Sequence, residues 1–384
     1  MDYLFNNRKI SFNDFNRKYR IHDVQTGKLL KESTNVLDIN SIDEYMEYVL
    51  SIDELSNVYY NITKRCNLKC VYCYSEHSKE YVSIEDNEII LDKLEKLNAR
   101  SITLIGGEPF CHPAFYELLQ RIKEKKFLRE ICIITNGTLI EKDRLSIFKD
   151  PRIYLQISLD GVDEETNAPT RGANVFNRVM KNIEYLQQEN IAFKLMKVVT
   201  RENINTSCSY YDFYKAQDIE TGFFMVKQVA DDLKPTMKQI RELLEDIYKR
   251  VKEVERVFDI VKFADNIMLD KSGFPIAHCG AGINAISINP NGDVYPCVKI
   301  NENEKRITNL LYKDAVDSFR KSRDSILKGQ LVFNKMECFN CKIRYFCGGG
   351  CRAEEKNDNI CQYNCSYFKL AIDFFCEKKC EEEK

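Results

Sequence analysis

Cys66, Cys70 and Cys73 lie in the run Cys-Asn-Leu-Lys-Cys-Val-Tyr-Cys-Tyr, so one short segment presents three thiols at C-x3-C-x2-C spacing. Three thiolates on one loop can ligate three irons of a [4Fe-4S] cluster, which leaves the fourth iron open to a small molecule. Such a site is reactive and not only an electron store. Zinc is the competing reading of three close cysteines, but a closed zinc site takes a fourth Cys or His at short range. His77 is the one nearby candidate, and it lies outside finger spacing.

About thirty residues downstream, after the apolar run Ser101 to Ile105, comes Gly106-Gly107-Glu108-Pro109. The triplet resembles the signature of the radical S-adenosylmethionine (SAM) enzymes, and the glycine run is similar to that family's methionine-binding motif. The resemblance implies that Cys66, Cys70 and Cys73 hold the catalytic cluster and that SAM chelates its open iron. It further implies that Gly106, Gly107 and Glu108 hold the SAM amino group by hydrogen bonding, the glycines letting the backbone come close to the ligand. Ser158 and Arg171 are candidates for the ribose and the carboxylate, since Arg suits a bidentate grip. The plainer explanation of Arg171 is a surface arginine on a loop. In such enzymes one electron from the reduced cluster cleaves SAM to methionine and a 5'-deoxyadenosyl radical, which takes hydrogen from a substrate carbon. The cofactor performs the hard step, and the protein supplies positioning and exclusion of water.

A second cysteine field fills the C-terminal third: Cys279, Gly292 and Cys297, then Cys338, Cys341, Cys347 and Cys351, then Cys361 and Cys365. Read by residues alone, the close pairs also fit a zinc ribbon. The whole pattern, with Asn291-Gly292-Asp293-Val294-Tyr295-Pro296-Cys297, resembles the SPASM domain, an auxiliary-cluster module of radical SAM enzymes that modify peptides and proteins. The resemblance implies two auxiliary clusters, three [4Fe-4S] clusters in all. Cys279, Cys297 and Cys351 would ligate the first, and Cys338, Cys341, Cys347 and a later cysteine the second. Cys365 sits in the setting expected of that later ligand. Cys361 is then a fourth ligand to the first cluster or a bystander, and in the second case that cluster has an open iron. Of the remaining cysteines, Cys132 reads as packing, Cys208 opens a helix, Cys111 follows the glycine motif, and Cys376 and Cys380 read as a solvent-side pair on a terminal helix.

These residues need strands and helices to hold them. Val58–Ile62, Ser101–Ile105, Glu130–Thr135, Arg152–Ser158, Phe193–Val199 and Gly222–Val226 read as strands separated by helical periods. Ser83 and Asp86 begin a capping box before Ile90, Leu94 and Leu97 on one face, and Phe176, Val179, Ile183 and Leu186 form another stripe that ends near Asn190. Repeated βα units imply a parallel sheet, and six of them fit the α/β, partial (β/α)6 TIM-like barrel that the resemblance implies. Chemistry in such barrels sits at the carboxyl ends of the strands, where the triplet, Gly106-Gly107 and Ser158-Leu159-Asp160-Gly161 fall. The expected division is 1–57 as an N-terminal extension, 58–234 as the barrel, 235–270 as a helical linker and 271–384 as the SPASM domain. The extension carries a hairpin around Tyr19 to Leu30 and a short helix over Asp43 to Leu50. In the linker, the charge run of Met237 to Phe258 reads as a solvated helical face.

The 384 residues carry 57 basic and 59 acidic side chains, so no global field attracts nucleic acid or an anionic membrane. Met1 to Phe5 lacks the form of a signal peptide, no run is apolar for long enough to span a bilayer, and 16 cysteines suit metal binding in a reducing cytoplasm. The expected reaction is maturation of a ribosomally made, cysteine-containing precursor peptide by a thioether or carbon–carbon crosslink, with flavodoxin or ferredoxin as electron donor. The alternative is oxidation of a sulfatase Cys or Ser to formylglycine. Sulfatase-maturing relatives carry a catalytic Asp after the cysteine of the Gly-x4-Cys motif, whereas Val298 follows Cys297 here. A non-catalytic electron carrier would explain the cysteines but not Gly106 to Pro109.

Overall fold

A computed structural model describes residues 2–5, 8–12, 19–23, 29–32, 41–226, 232–262, 279–338, 341, 344–354 and 362–382. The chain opens with an antiparallel meander of β1 (Asp2–Phe5), β2 (Arg8–Phe12), β3 (Tyr19–Asp23) and β4 (Leu29–Glu32), followed by α1 (Ile42–Ser51). An alternating segment follows: β5 (Asn57–Thr63), α2 (Ile84–Lys96), β6 (Ser101–Gly106), α3 (Phe115–Glu124), β7 (Glu130–Thr135), β8 (Ile153–Ser158), α4 (Glu164–Arg171), α5 (Val175–Gln188), β9 (Phe193–Val199), α6 (Ser207–Lys215) and β10 (Thr221–Met225). Next come α7 (Met237–Val251), α8 (Val254–Ile260), β11 (Val261–Lys262), β12 (Ala285–Ile288), β13 (Asp293–Tyr295), β14 (Thr308–Asn309), α9 (Ala315–Gln330), α10 (Arg344–Cys347) and α11 (Gln362–Glu382).

Two compact units result. The first comprises residues 1–52, 235–280 and 324–384; the second comprises 53–234 and 281–323.

In the second unit β5 to β10 pair in chain order, each parallel to the next, as the repeated βα pattern requires. Val58, Tyr60 and Ile62 of β5 are fully buried, whereas Asn57, Tyr59 and Asn61 alternate with them on a half-open face. Ile90, Leu91 and Leu94 of α2 and Val179, Ile183 and Leu186 of α5 form the buried stripes of their helices. Ser83 caps α2 by accepting from the Asp86 N–H at 2.9 Å. The six expected strands are all present, with ends moved by a residue or so.

The compact units do not divide where the cysteine pattern suggested. β12 extends the barrel sheet by pairing parallel to β5, Ala285 opposite Asn57 through Ile288 opposite Tyr60, and β13 and β14 add antiparallel beyond it. Residues 281–323 therefore belong with the barrel, although they carry the Gly292 and Cys297 of the second cysteine field.

The first unit holds the meander, and β3 and β4 form the expected hairpin; its turn falls outside the described residues. The helix expected over Met237 to Phe258 is two helices, broken after Val251 where Lys252 takes a left-handed φ of 57°. Its charges are only partly solvated, because Arg241 pairs with Glu245 at 3.0 Å and Glu377 at 2.5 Å, and Lys378 pairs with Glu245 at 2.9 Å, linking α7 to α11. Cys376 is also not solvent-facing; it is 1% exposed in the apolar face of α11. The Cys380 side chain lies outside the described residues.

Ile286 is 1% exposed on β12. Ile286→Ala should cost about 2–5 kcal/mol, the range for a truncated core aliphatic residue, and lower the unfolding midpoint of the barrel followed by circular dichroism. An unchanged barrel transition would contradict the placement of β12 in its sheet.

Candidate active site

The segment after β5 has little regular structure, so its geometry depends on what holds it. Its ends close on each other: the Lys64 N–H donates to Glu80 O at 2.9 Å, the Val82 N–H donates to Ile62 O at 3.0 Å, and the Lys64 ammonium meets the Glu80 carboxylate at 2.8 Å. The carboxyl end of β6 then locks it from the side, with Gly107 N–H donating to Thr63 O at 2.8 Å and Glu108 N–H to Arg65 O at 2.7 Å. A Cβ on Gly106 would fall 2.4 Å from Thr63 O, and one on Gly107 would fall 2.4 Å from Arg65 O and 2.8 Å from the Cys66 Cβ. These glycines allow the close approach of two backbone segments.

Within the loop the thiols of Cys66, Cys70 and Cys73 act on one another electrostatically. A turn from Cys70 to Cys73, N–H to O 3.1 Å, brings the last two together, and His77 Nε2 stands 3.6 Å from Cys73 Sγ. Burial pushes the Cys66 thiol up to about 11, while the Leu68 N–H opposes the shift. Burial also raises Cys70, against the lowering effect of Arg171. Iron bound there would supply the positive charge that such thiols need to ionise.

Glu108 is 1% exposed, and its carboxylate is occupied by the chain itself. It accepts from Thr135 Oγ1 at 2.6 Å and from the Asn136 N–H at 2.6 Å, so it ties β6 to the end of β7. Burial pushes its pKa to about 7 in spite of these donors. The same turn after β7 grips the cysteine loop: Asn136 Nδ2 donates to Asn67 Oδ1 at 2.9 Å, and Asn67 Nδ2 donates to Thr138 Oγ1 at 2.8 Å.

Ser158 ends β8 half-buried on the open face of the sheet. Arg171 is not a surface residue: it closes α4, is 4% exposed, and lies 3.0 Å from the fully buried carboxylate of Asp160. Burial alone would lower its pKa, and Asp160 more than reverses that. Asn67, Tyr72, Asp160, Asn136 and Thr138 were not picked out as site residues from the sequence. Their signal was position, either inside the cysteine triplet or directly after a strand.

Beside the loop lies a cleft within the same unit, lined by Asn61, Tyr74, Gly106, Asn289, Tyr295 and Val298 among others. It runs from the carboxyl ends of β5 and β6 to the turn carrying Cys297. The Tyr74 phenol is in electrostatic reach of both Cys73 and Cys297. Asn61 Oδ1 is buried without a hydrogen-bond partner among the described residues, a group that a bound molecule would satisfy. Three thiols thus stand on one anchored loop beside this cleft, and among the described residues no three His, Cys, Asp or Glu side chains are drawn together as a ready-made metal site.

Residues 60–207 match the radical SAM superfamily, from the middle of β5 through the first residue of α6. A match to this domain implies S-adenosylmethionine and a [4Fe-4S] cluster as cofactors. The chain is 28% identical over 327 residues to the antilisterial bacteriocin subtilosin biosynthesis protein AlbA of Bacillus subtilis, covering 78% of this chain and 68% of the relative. It is 24% identical over 350 residues to the cysteine-type anaerobic sulfatase-maturating enzyme of Clostridium perfringens, covering 80% and 93%. Its fold is shared with native anSMEcpe with bound AdoMet and Cp18Cys peptide (TM-score 0.68, 20% identity, 85% of this chain and 98% of that one). It is also shared with Streptococcus suis SuiB bound to precursor peptide SuiA (TM-score 0.65, 16% identity, 94% and 98%). Among the described residues no helix is long and apolar enough to cross a membrane.

In the first unit the buried Cys338 and Cys347 and the half-buried Cys341 and Cys365 form one neighbourhood. Burial raises the Cys347 pKa, and Cys365, Cys338 and Cys341 add to the rise in that order. These are the residues expected around the second auxiliary cluster, with Cys365 as the later ligand. Cys279 and Cys351 are half-buried in the same unit, and Cys297 is half-buried in the other. Cys361 lies outside the described residues.

Because Glu108 binds its proton more tightly folded (about 7) than at its ordinary value of 4.5, its contribution to stability is full below pH 4.5 and is lost as pH rises through about 7. Glu108→Gln lacks that loss. Between about pH 5 and pH 8 the wild type should therefore lose stability relative to the variant, read from denaturant midpoints. A pH-independent difference would contradict the buried, proton-retaining carboxylate.

Proposed function

We propose that this protein matures a ribosomally made, cysteine-containing peptide by closing a thioether or carbon–carbon crosslink. The observation that carries the reading is the cleft, which lies between the end of the cysteine loop at Tyr74 and the turn after Cys297 and is lined by polar side chains such as Asn61, Asn289, Asn291 and Asn301. AlbA, by its name, serves bacteriocin biosynthesis, and the SuiB fold has been seen with a precursor peptide, which supports a peptide in this cleft.

When bound, cluster and SAM supply an electron and a 5'-deoxyadenosyl radical for hydrogen abstraction. The residues of this chain do the rest by placement. Asn67, Glu108 and the two glycines fix the loop whose Cys66, Cys70 and Cys73 would hold the cluster, and Asn61 and Tyr74 line the cleft that would take the substrate. Closing a thioether removes one hydrogen atom from carbon, one proton from sulfur and one further electron. The C-terminal cysteines, as ligands of two auxiliary clusters, would hold the acceptor for that electron.

A second reading, formylglycine formation, is favoured by the sulfatase-maturating relative. Val298 after Cys297 weighs against it, since an apolar side chain there cannot serve as the base which that oxidation needs.

The test is an anaerobic reaction of reduced, cluster-loaded protein with SAM and a cysteine-containing precursor, read by mass spectrometry. A peptide lighter by two hydrogens, with 5'-deoxyadenosine formed, is expected, and Cys66→Ala, Cys70→Ala and Cys73→Ala should each abolish both products. An aldehyde on a sulfatase peptide with the precursor untouched would decide for the second reading. Cleavage of SAM that survives any of the three substitutions would overturn the site.

A further inference from the structure

One carboxylate is bound from four sides. Asp160, fully buried after β8, receives Tyr72 Oη at 2.5 Å and Thr170 Oγ1 at 2.8 Å on Oδ2, and the Val198 N–H of β9 at 2.9 Å on Oδ1. Arg171 Nε lies 3.0 Å from Oδ2 and Nη2 lies 3.3 Å from Oδ1. The Arg171 guanidinium also covers the Tyr72 ring at 5.6 Å, and the Val71 N–H donates to Thr170 O at 3.1 Å. Val71 and Tyr72 are the two residues between Cys70 and Cys73. The stretch carrying two of the three thiols is thus fastened to β8, β9 and α4 through a single acidic side chain.

The charges matter as much as the contacts. Arg171 and Asp160 both act on the Cys70 sulfur, Arg171 favouring its thiolate and Asp160 opposing it. A buried pair of this kind is nearly neutral when both members are present, and removing one partner leaves an uncompensated charge in a medium that screens it poorly.

We propose that Asp160 is a positioning residue for the radical-generating cluster. It fixes Tyr72 and Arg171 about Cys70 and cancels the Arg171 charge at that sulfur, and so sets the reduction potential of the cluster. The inference rests on Cys66, Cys70 and Cys73 holding that cluster. Asp160→Asn leaves a net positive charge beside Cys70, which stabilises the reduced cluster. Arg171→Gln leaves a net negative charge, which does the opposite. The double variant is neutral again.

The test follows the electron paramagnetic resonance signal that SAM perturbs, titrated against potential in the full-length, cluster-loaded protein. Asp160→Asn should shift its midpoint upward, Arg171→Gln downward, and the double variant should return close to wild type. Tyr72→Phe keeps the charges and removes one fastening. It should keep the wild-type potential but release iron to a chelator severalfold faster. Circular dichroism establishes that each variant is folded, and a single variant that fails to fold is replaced by comparison of the double variant and Tyr72→Phe with wild type. Shifts of the same sign in both charge variants, a double variant far from wild type, or Tyr72→Phe releasing iron as slowly as wild type would overturn the proposal. A wild-type protein with no SAM-responsive signal would count against the proposed function itself.

Discussion

The close backbone approach of Gly106 and Gly107 to Thr63, Arg65 and Cys66 is the constraint on which the site depends. The cysteine loop has no helix or strand of its own, so hydrogen bonds from strand ends must substitute for a ladder. Gly107 and Glu108 donate to carbonyls in the loop, and no side chain fits between the segments. Once β6 is locked against the loop, the Glu108 carboxylate is buried and must find donors, and it finds them at the end of β7. The turn after β7 in turn reaches back to Asn67. Three parallel strands therefore hold one irregular loop, which matches the general rule that barrels place chemistry at their carboxyl ends.

The cysteines of the first unit obey a different logic. Cys338 and Cys347 are buried, and burial without metal pushes a thiol toward its protonated form. Metal bound there would reverse that preference, and its free energy would then become folding energy for the segment. With the metal ligation proposed above, α10, the 4-residue turn that delivers Cys347, would draw its stability from the ligands and not from its own length.

Much of this was legible in the sequence because it rests on local rules. The six strands are short β-branched runs between helical stripes, and the two motifs lie directly after the first two of them. Three features were not legible, each for a physical reason. β12 joins β5 across more than two hundred residues of chain, and no local pattern encodes a pairing partner. Arg171 reads as a polar residue near a glycine, since its counter-ion Asp160 is eleven positions away and the burial of both arises only when β8, β9 and α4 converge. Cys376 sits in a helix so rich in charge that its buried face is hidden, because long side chains such as those of Lys378 and Lys379 lie over apolar neighbours and end in ion pairs.

The central claim is that Cys66, Cys70 and Cys73 hold a four-iron cluster whose remaining iron is open to SAM. The most direct measurement is electron–nuclear double resonance on the reduced protein with SAM labelled at its amino nitrogen and carboxylate oxygen. The account predicts hyperfine coupling from both labels to the cluster in the wild type, and its loss when any one of these three cysteines is replaced. Labels that show no coupling, in a protein whose cluster is fully loaded and reduced, would contradict it.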